Sequence, residues 1–273
     1  MLDPLAAVAL FGLGASAAFG TGDYCGGLAG KANPTERVIA VSHLLTLVAF
    51  TALAYLSGER APAASDVGWS LAAGVASAVG LLCLYRGLSV GPMGVVAAVS
   101  AVLAAAAPVG VAVGLGQVIG GAQIVGFALA MAGVVLLSAG HGGGRGGLPW
   151  AIVAGLALGT FLVLVAQSHA GPFATLAVSR SSSAFILVAL SLRHGLRIKA
   201  VPAVLLATVC DATGNVFFLA AARTGLLAEA GVLSNLYPAV TTLLAWLLLR
   251  EQLRWGQWAG LALTLAAVPL IAA

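Results

Sequence analysis

Two charged side chains lie inside long apolar stretches of this sequence, where a charge is costly and usually serves a function. Arg180 lies eight residues after Pro172, which is about 12 Å along a helix that rises 1.5 Å per residue. Asp211 lies nine residues after Pro202, or about 14 Å by the same rise. In consecutive antiparallel helices both charges would reach one depth. They predict either an ion pair that joins two helices or a cavity wall for a polar or zwitterionic solute.

Further polar residues extend the predicted cavity. Thr208, Asp211 and Asn215 recur at helical spacing, so they share a face that must point to a bundle interior or to water. A second polar group precedes Pro238, which frees a backbone carbonyl, and polar packing between helices stays the alternative there. The predicted substrate-cavity residues are Arg180, Asp211, Asn215, Thr208, Ser183, Ser100, Ser234, Asn235, Tyr237 and Gln167.

The end of the first apolar stretch holds a candidate gate or proton-coupling site. It consists of Asp23, Tyr24 and Gly26, and glycines recur at four-residue spacing from Gly22 to Gly30. Such spacing favours close helix packing. The alternative is a pliable or broken helix whose backbone lines a transport path, with Asp23 as gate or proton carrier.

Composition decides the fold class. The chain is 61% hydrophobic and 7% charged, with a mean hydropathy of +1.10, whereas a soluble domain has roughly a quarter of its residues charged. The apolar runs are continuous rather than alternating, which excludes a transmembrane barrel. The sequence therefore predicts an all-α integral membrane protein with ten spans. These cover about 4–29, 37–57, 67–86, 92–115, 118–139, 149–168, 172–192, 201–222, 226–249 and 255–272.

The second half of the sequence repeats the first. Residues 91–137 align without a gap with 225–271, so that Ser100 falls on Ser234 and Gln117 on Glu251. A glycine-rich linker, 141–148, leaves five predicted spans on each side. Because five is odd, the second unit must cross the membrane in the opposite direction, as in the inverted repeats of transporters. The predicted units are 1–140 and 149–273.

The second unit resembles a known transporter family. The stretch from Arg223 to Pro238, followed by Glu251 and Gly260, is similar to the last two helices of EamA-type transporters of the drug/metabolite transporter superfamily. Members carry two such units, so the resemblance covers nearly the whole chain. The first unit departs from the pattern, with Gln117 where a Glu is usual and Pro108 one helical turn later than the counterpart of Pro238.

The orientation stays open between two predictions. Most Lys and Arg follow the odd-numbered spans, whereas only Arg60 and Arg223 lie on the other side. The positive-inside rule would therefore place both termini outside. The family resemblance implies instead that both termini lie in the cytoplasm.

The predicted function is secondary transport by alternating access. The expected direction is export, and the expected substrate is a small organic metabolite, for example an amino-acid-like one. The alternatives are an integral-membrane enzyme and a non-transporting scaffold subunit. An enzyme would need paired acids or a histidine box, yet the four histidines are scattered. We expect no cofactor, metal or nucleic acid. The expected partners are a small-molecule substrate, membrane lipid and, if transport is coupled to them, protons. We expect a monomer or homodimer in the plasma membrane of a prokaryote.

Overall fold

A computed structural model of the chain describes residues 3–30, 32–90, 93–138, 147–192, 195, 197–249 and 254–271. All regular secondary structure within these ranges is helical. The predicted linker 141–148 lies outside the described residues except for its last two positions. The helices are α1 (Pro4–Gly30), α2 (Thr35–Leu56), α3 (Ala64–Val90), α4 (Met93–Gly114), α5 (Gly121–Ser138), α6 (Leu148–Ala166), α7 (Pro172–Ser191), α8 (Val201–Ala222), α9 (Leu227–Ser234), α10 (Tyr237–Leu249) and α11 (Trp255–Ile271).

These helices confirm the predicted all-α membrane fold. In the described part of the chain, eight helical segments are long and apolar enough to cross a membrane. One of them, Leu227–Leu248, joins α9 to α10. The shorter apolar helices α5 and α11 complete the ten predicted segments. Lipid-facing side chains such as Leu248, 63% exposed, explain why so much apolar surface remains uncovered.

The ninth predicted segment is broken into α9 and α10 at Asn235 and Leu236. Pro238 causes the break, because it lacks an amide proton and its ring collides with the carbonyl four residues earlier. Polar side chains next to the break donate hydrogen bonds to carbonyls one helical turn earlier. The Asn235 amide donates to the Gly231 carbonyl at 2.8 Å, and Ser234 Oγ donates to the Ala230 carbonyl at 2.6 Å. Helix α1, in contrast, is continuous through its glycines, so the broken-helix alternative for that segment is wrong.

The helices pack across the two halves in a paired pattern. Helix α1 packs against α8 and α3 against α6, while α2 packs against α7 and α5 against α11. Likewise α4 contacts α6, and α1 contacts α9 and α10. Exchanging the first five helical segments with the second five turns α1–α8 into α3–α6 and α4–α6 into the contact of α1 with α9 and α10, and it leaves α2–α7 and α5–α11 unchanged. This is the relation that two repeats predict; the unit boundaries 1–140 and 149–273 stay predictions.

The two ends of the bundle differ in charge. We call one end the acidic end, because Glu59, Asp66 and Glu229 lie there, where α2 ends and where α3 and α9 begin. We call the other the basic end. It holds Arg37, Arg197, Lys199 and Arg254, near the starts of α2, α8 and α11.

The main hydrophobic core lies in the half of the bundle nearer the acidic end. Large buried side chains such as Phe161, Leu176 and Phe218 fill it. In the half nearer the basic end the described buried clusters are smaller, and one of them holds only Ala29, Val38 and Val204. This second half contains the cavity described next.

Candidate functional site

A cavity of about 460 Å³, including its open mouth, lies among α1, α2, α3 and α8. Three helices from the first half of the chain and one from the second therefore build its wall. Asp23 and Asp211 contribute carboxylates, and Ser42, His43 and Tyr85 contribute further polar groups. The remaining lining residues are apolar or small: Phe19, Gly22, Val38, Ile39, Leu81, Val204 and Ala207.

The predicted pair of mid-membrane charges forms an ion pair behind this cavity. The Arg180 guanidinium donates to Asp211 Oδ2 at 2.6 Å. Asp211 lines the cavity with its side chain 29% exposed, whereas Arg180 is 1% exposed and does not line it. The two charges thus meet at one depth, but only the carboxylate reaches the cavity. A buried pair of this kind is costly to break, because the remaining charge would lose its partner.

His43 joins the ion pair to α7. Its Nε2 atom lies 2.9 Å from a terminal nitrogen of Arg180, and its Nδ1 atom lies 2.9 Å from Ser183 Oγ. Because a guanidinium only donates, Nε2 must accept and the ring proton must be on Nδ1. Ser183 Oγ then accepts from Nδ1 and can donate to the Ser179 carbonyl, 3.2 Å away. The hydrogen-bond network therefore requires a neutral imidazole.

Asn215 supports the Asp211 side of the network, whereas Thr208 bonds only its own helix. The Asn215 amide donates to the Asp211 carbonyl at 2.7 Å and to Oδ1 of its carboxylate at 3.2 Å. Thr208 Oγ1 donates to the Val204 carbonyl one turn earlier. Both carboxylate oxygens of Asp211 are thus already hydrogen-bonded by the protein. Asn215 Oδ1 is buried and has no hydrogen-bond partner among the described residues.

The Asp23 side chain lines the cavity from α1 and is partly buried. No ion pair or side-chain hydrogen bond joins it to another described residue. Its neighbours on α1 are small because other helices come close. A Cβ added at Gly22 would lie 3.3 Å from Cys210 Cβ on α8, and one added at Gly26 would lie 2.8 Å from the Tyr85 hydroxyl on α3.

The other predicted site residues lie elsewhere. Ser100 Oγ donates to the Ala151 carbonyl at 3.1 Å and so joins α4 to α6. Gln167 caps the C-terminus of α6. Ser234 and Asn235 bond their own helix, as described above, and Tyr237 is 8% exposed at the start of α10. Tyr24 follows Asp23 but is not among the described lining residues.

A thin wall separates the cavity from the basic end. Val38 and Val204 line the cavity and pack with Ala29. Outside this layer, Asn33 Nδ2 donates to the Lys199 carbonyl at 2.8 Å, and the Lys199 amide donates back to Asn33 Oδ1 at 2.5 Å. These two bonds connect the chain before α2 to the chain before α8.

A polar network closes the acidic end. Glu59 caps α7 by accepting from the Phe173 and Ala174 amides at 3.2 and 2.7 Å, which suits a carboxylate at a helix N-terminus. Asp66 accepts from the His169 amide at 2.9 Å. Arg223 donates to the Ala170 carbonyl. Partial burial lowers the pKa of the Arg223 guanidinium, although Glu59 and Asp66 oppose that shift.

Glu229 adds a second contact between the halves at the acidic end. It is 1% exposed and accepts from Gln117 Nε2 at 2.6 Å and from Gln123 Nε2 at 2.9 Å. Gln117 Oε1 in turn accepts from the Ala228 amide at 3.4 Å. Gln117 of the first half of the chain thus binds a glutamate of the second half.

Sequence reasoning missed three of these residues. His43 has the two hydrogen-bond partners of an ordinary interior histidine, yet it also lines the cavity. Tyr85 lies near a helix end, where an aromatic side chain is usually an interface anchor, yet it lines the cavity as well. Glu229 was not considered, although a Glu inside a predicted span is itself a signal.

Comparisons with known proteins agree with this architecture. Residues 145–273 match the family described as the EamA-like transporter family. A crystal structure of a protein that is 18% identical has a TM-score of 0.75, and the match covers 97% of this chain and 96% of that one. At that identity the likeness shows the fold alone. No curated protein matches the chain in sequence. The resemblance found in the sequence is confirmed for the second half of the chain, which is similar to the EamA-like transporter family, and the apolar helices make the chain a multi-pass membrane protein.

Proposed function

We propose that this protein, whose residues 145–273 match the EamA-like transporter family, is a secondary transporter that moves a small organic solute by alternating access. One observation carries the proposal: helices of both halves surround a cavity that holds Asp23 and Asp211 within apolar surroundings. Charged side chains inside a membrane protein mark substrate or ion pathways, because isolated charge there is expensive. The family match favours transport over the alternatives of a membrane enzyme or a scaffold subunit.

The unequal ends of the bundle support alternating access. The layer of Ala29, Val38 and Val204 is the short barrier, whereas the main core and the Glu59 cap form the long one. In our proposal the short barrier opens first and exposes the cavity at the basic end. Rocking of one repeat against the other then exposes it at the acidic end.

Export is the proposed direction, and the plasma membrane of a prokaryote is the proposed location. The positive-inside rule puts the basic end in the cytoplasm. The short barrier would then open to the cytoplasm, where a metabolite to be exported is taken up. The residue types of the predicted cavity suggested an amino-acid-like solute. The charges around the cavity favour the amine of such a solute over its carboxylate.

The test is solute loss from proteoliposomes with a blocked and a control variant. Ala207→Phe fills the cavity from α8. Leu206→Phe adds the same ring to the neighbouring residue, which is 50% exposed at the lipid-facing surface. Vesicles are loaded with a mixture of small metabolites, and mass spectrometry follows what leaves.

We expect wild type and Leu206→Phe to release the same subset of solutes, and Ala207→Phe to retain them. Equal release by Ala207→Phe and wild type would contradict a pathway through this cavity. Release that is absent from all three folded proteins would contradict transport itself.

A further inference from the structure

We propose that the cavity binds an organic ammonium ion, a primary amine with an apolar body, rather than a zwitterion or an anion. This inference depends on the proposed function, because it names the substrate class of the same site. It follows from a difference between the two carboxylates that line the cavity and from the position of the cation beside them.

The cation near the cavity is buried, and both of its terminal nitrogens already have partners in the protein. Arg180 donates to Asp211, to His43 and, at 3.5 Å, to Ser77. Its Nε atom is buried and has no partner among the described residues, and the side chain is 1% exposed. A substrate carboxylate in the cavity therefore cannot reach the guanidinium. His43 is no substitute, because Arg180 and Ser183 occupy both of its ring nitrogens.

One negative charge in the cavity has no counter-charge. The Arg180 guanidinium neutralises Asp211 at 2.6 Å, but Asp23 forms no ion pair with any described residue. Lys and Arg are absent from the described lining residues. When both carboxylates are ionised, the site carries one excess negative charge with Arg180 counted. In surroundings of low dielectric constant this charge attracts a cation far more strongly than it would in water.

The rest of the lining fits the body of such an amine. Phe19, Ile39 and Leu81 supply apolar surface beside the two carboxylates. The Tyr85 hydroxyl lies beside Gly26, one turn along α1 from Asp23, and can accept a hydrogen bond from an ammonium group. Aromatic rings in the wall also favour a cation over an anion.

The experiment compares four probes that share a phenylethyl body on the purified full-length protein in detergent. The probes are 2-phenylethylammonium, phenylalanine, 3-phenylpropionate and 2-phenylethanol, which are cationic, zwitterionic, anionic and neutral at pH 7. Binding is measured by calorimetry and by the shift in melting temperature. Asp23→Asn removes the charge at almost constant shape. Asp3→Asn, at an exposed position before α1, is the matched control.

We expect 2-phenylethylammonium to bind wild type and Asp3→Asn equally, and at least about tenfold more tightly than the other three probes. We expect Asp23→Asn to weaken amine binding by at least about tenfold, while the unliganded variant melts no lower than wild type.

Three outcomes would overturn the proposal. In the first, phenylalanine or 3-phenylpropionate binds as tightly as the amine. In the second, Asp23→Asn binds the amine as well as wild type, as expected if Asp23 only carries a proton. In the third, no probe binds to a cooperatively melting protein. Because binding is measured without transport, release from the proteoliposomes that is blocked by Ala207→Phe would still stand if amine binding failed.

Discussion

Large buried side chains fill the half of the bundle near the acidic end, which we call the filled half. The half near the basic end contains the cavity, and we call it the hollow half. In the filled half sixteen buried residues of the described chain form one cluster, with large side chains such as Phe161 and Phe218. In the hollow half three small or medium side chains, Ala29, Val38 and Val204, stand between the cavity and the basic end. Side-chain size and the placement of the charges distinguish the two halves.

The charged network lies where the two halves meet. His43 and Asp211 line the cavity, and Arg180, which binds both of them, lies behind them on the side of the main core. A charge that has an ion-pair partner on the core side and faces the cavity on its other side can contribute both to stability and to transport. The predictions below separate these two contributions, beginning with the residue at the boundary.

Removing the cation at the boundary should have the largest effect. Arg180→Met leaves the Asp211 carboxylate without its partner and His43 Nε2 without its donor. We expect a loss of about 3–5 kcal/mol in the free energy of unfolding, measured by reversible denaturation in mixed micelles. The double variant Arg180→Met/Asp211→Leu should recover much of this loss, because neither charge then remains unpaired.

The double variant also separates structure from transport. We expect it to fold but to release no solute from proteoliposomes, because the cavity has lost Asp211. Normal release by a stable double variant would show that the pair only joins helices. Arg197→Met, which removes an exposed arginine at the basic end, serves as control and should change stability by no more than about 0.5 kcal/mol.

Much of the fold could be predicted from the sequence. The apolar runs gave the ten segments because a membrane demands about 20 apolar residues for each span. Pro238 marked the broken segment, but the pattern did not indicate whether the chain would bend or break. For α1 the glycine spacing favoured packing, and the close approach of Gly20 to the Tyr237 carbonyl of α10 agrees with that interpretation.

The site was less predictable, because helical spacing places residues on a face but does not identify the neighbour of that face. Asp211 and Arg180 could be paired by depth alone. Ser100 and Ser234 occupy equivalent repeat positions, yet they bond α6 and their own helix rather than a solute. His43 reaches the cavity only because α2 packs against α7, a contact between residues 137 positions apart that periodicity cannot predict.

Enlarging a glycine at the edge of the filled half should have the second largest effect. A Cβ at Gly74 on α3 would overlap the Ser179 carbonyl and Ser182 Oγ of α7. Because backbone cannot move aside, Gly74→Ala should cost about 1–3 kcal/mol of stability. Gly68→Ala, six residues earlier on the same helix with open space around it, should leave the melting temperature unchanged or slightly raised. Equal melting temperatures for the two variants would contradict the close α3–α7 contact.

A glycine-to-alanine change in the hollow half should have the smallest effect on stability of the variants considered, but it should weaken amine binding. A Cβ at Gly26 would meet only the Tyr85 hydroxyl, at 2.8 Å, and the end of a side chain that borders a cavity can move aside. We therefore expect Gly26→Ala to change the free energy of unfolding by no more than about 0.5 kcal/mol. The displaced hydroxyl should weaken 2-phenylethylammonium binding by up to about tenfold, the equivalent of one hydrogen bond. Gly30→Ala, one turn further along α1 with nothing within 4 Å, should leave both quantities unchanged. If Gly26→Ala were instead as destabilising as Gly74→Ala, Tyr85 would be held as firmly as the filled half, and the contrast between the halves would fail at this position.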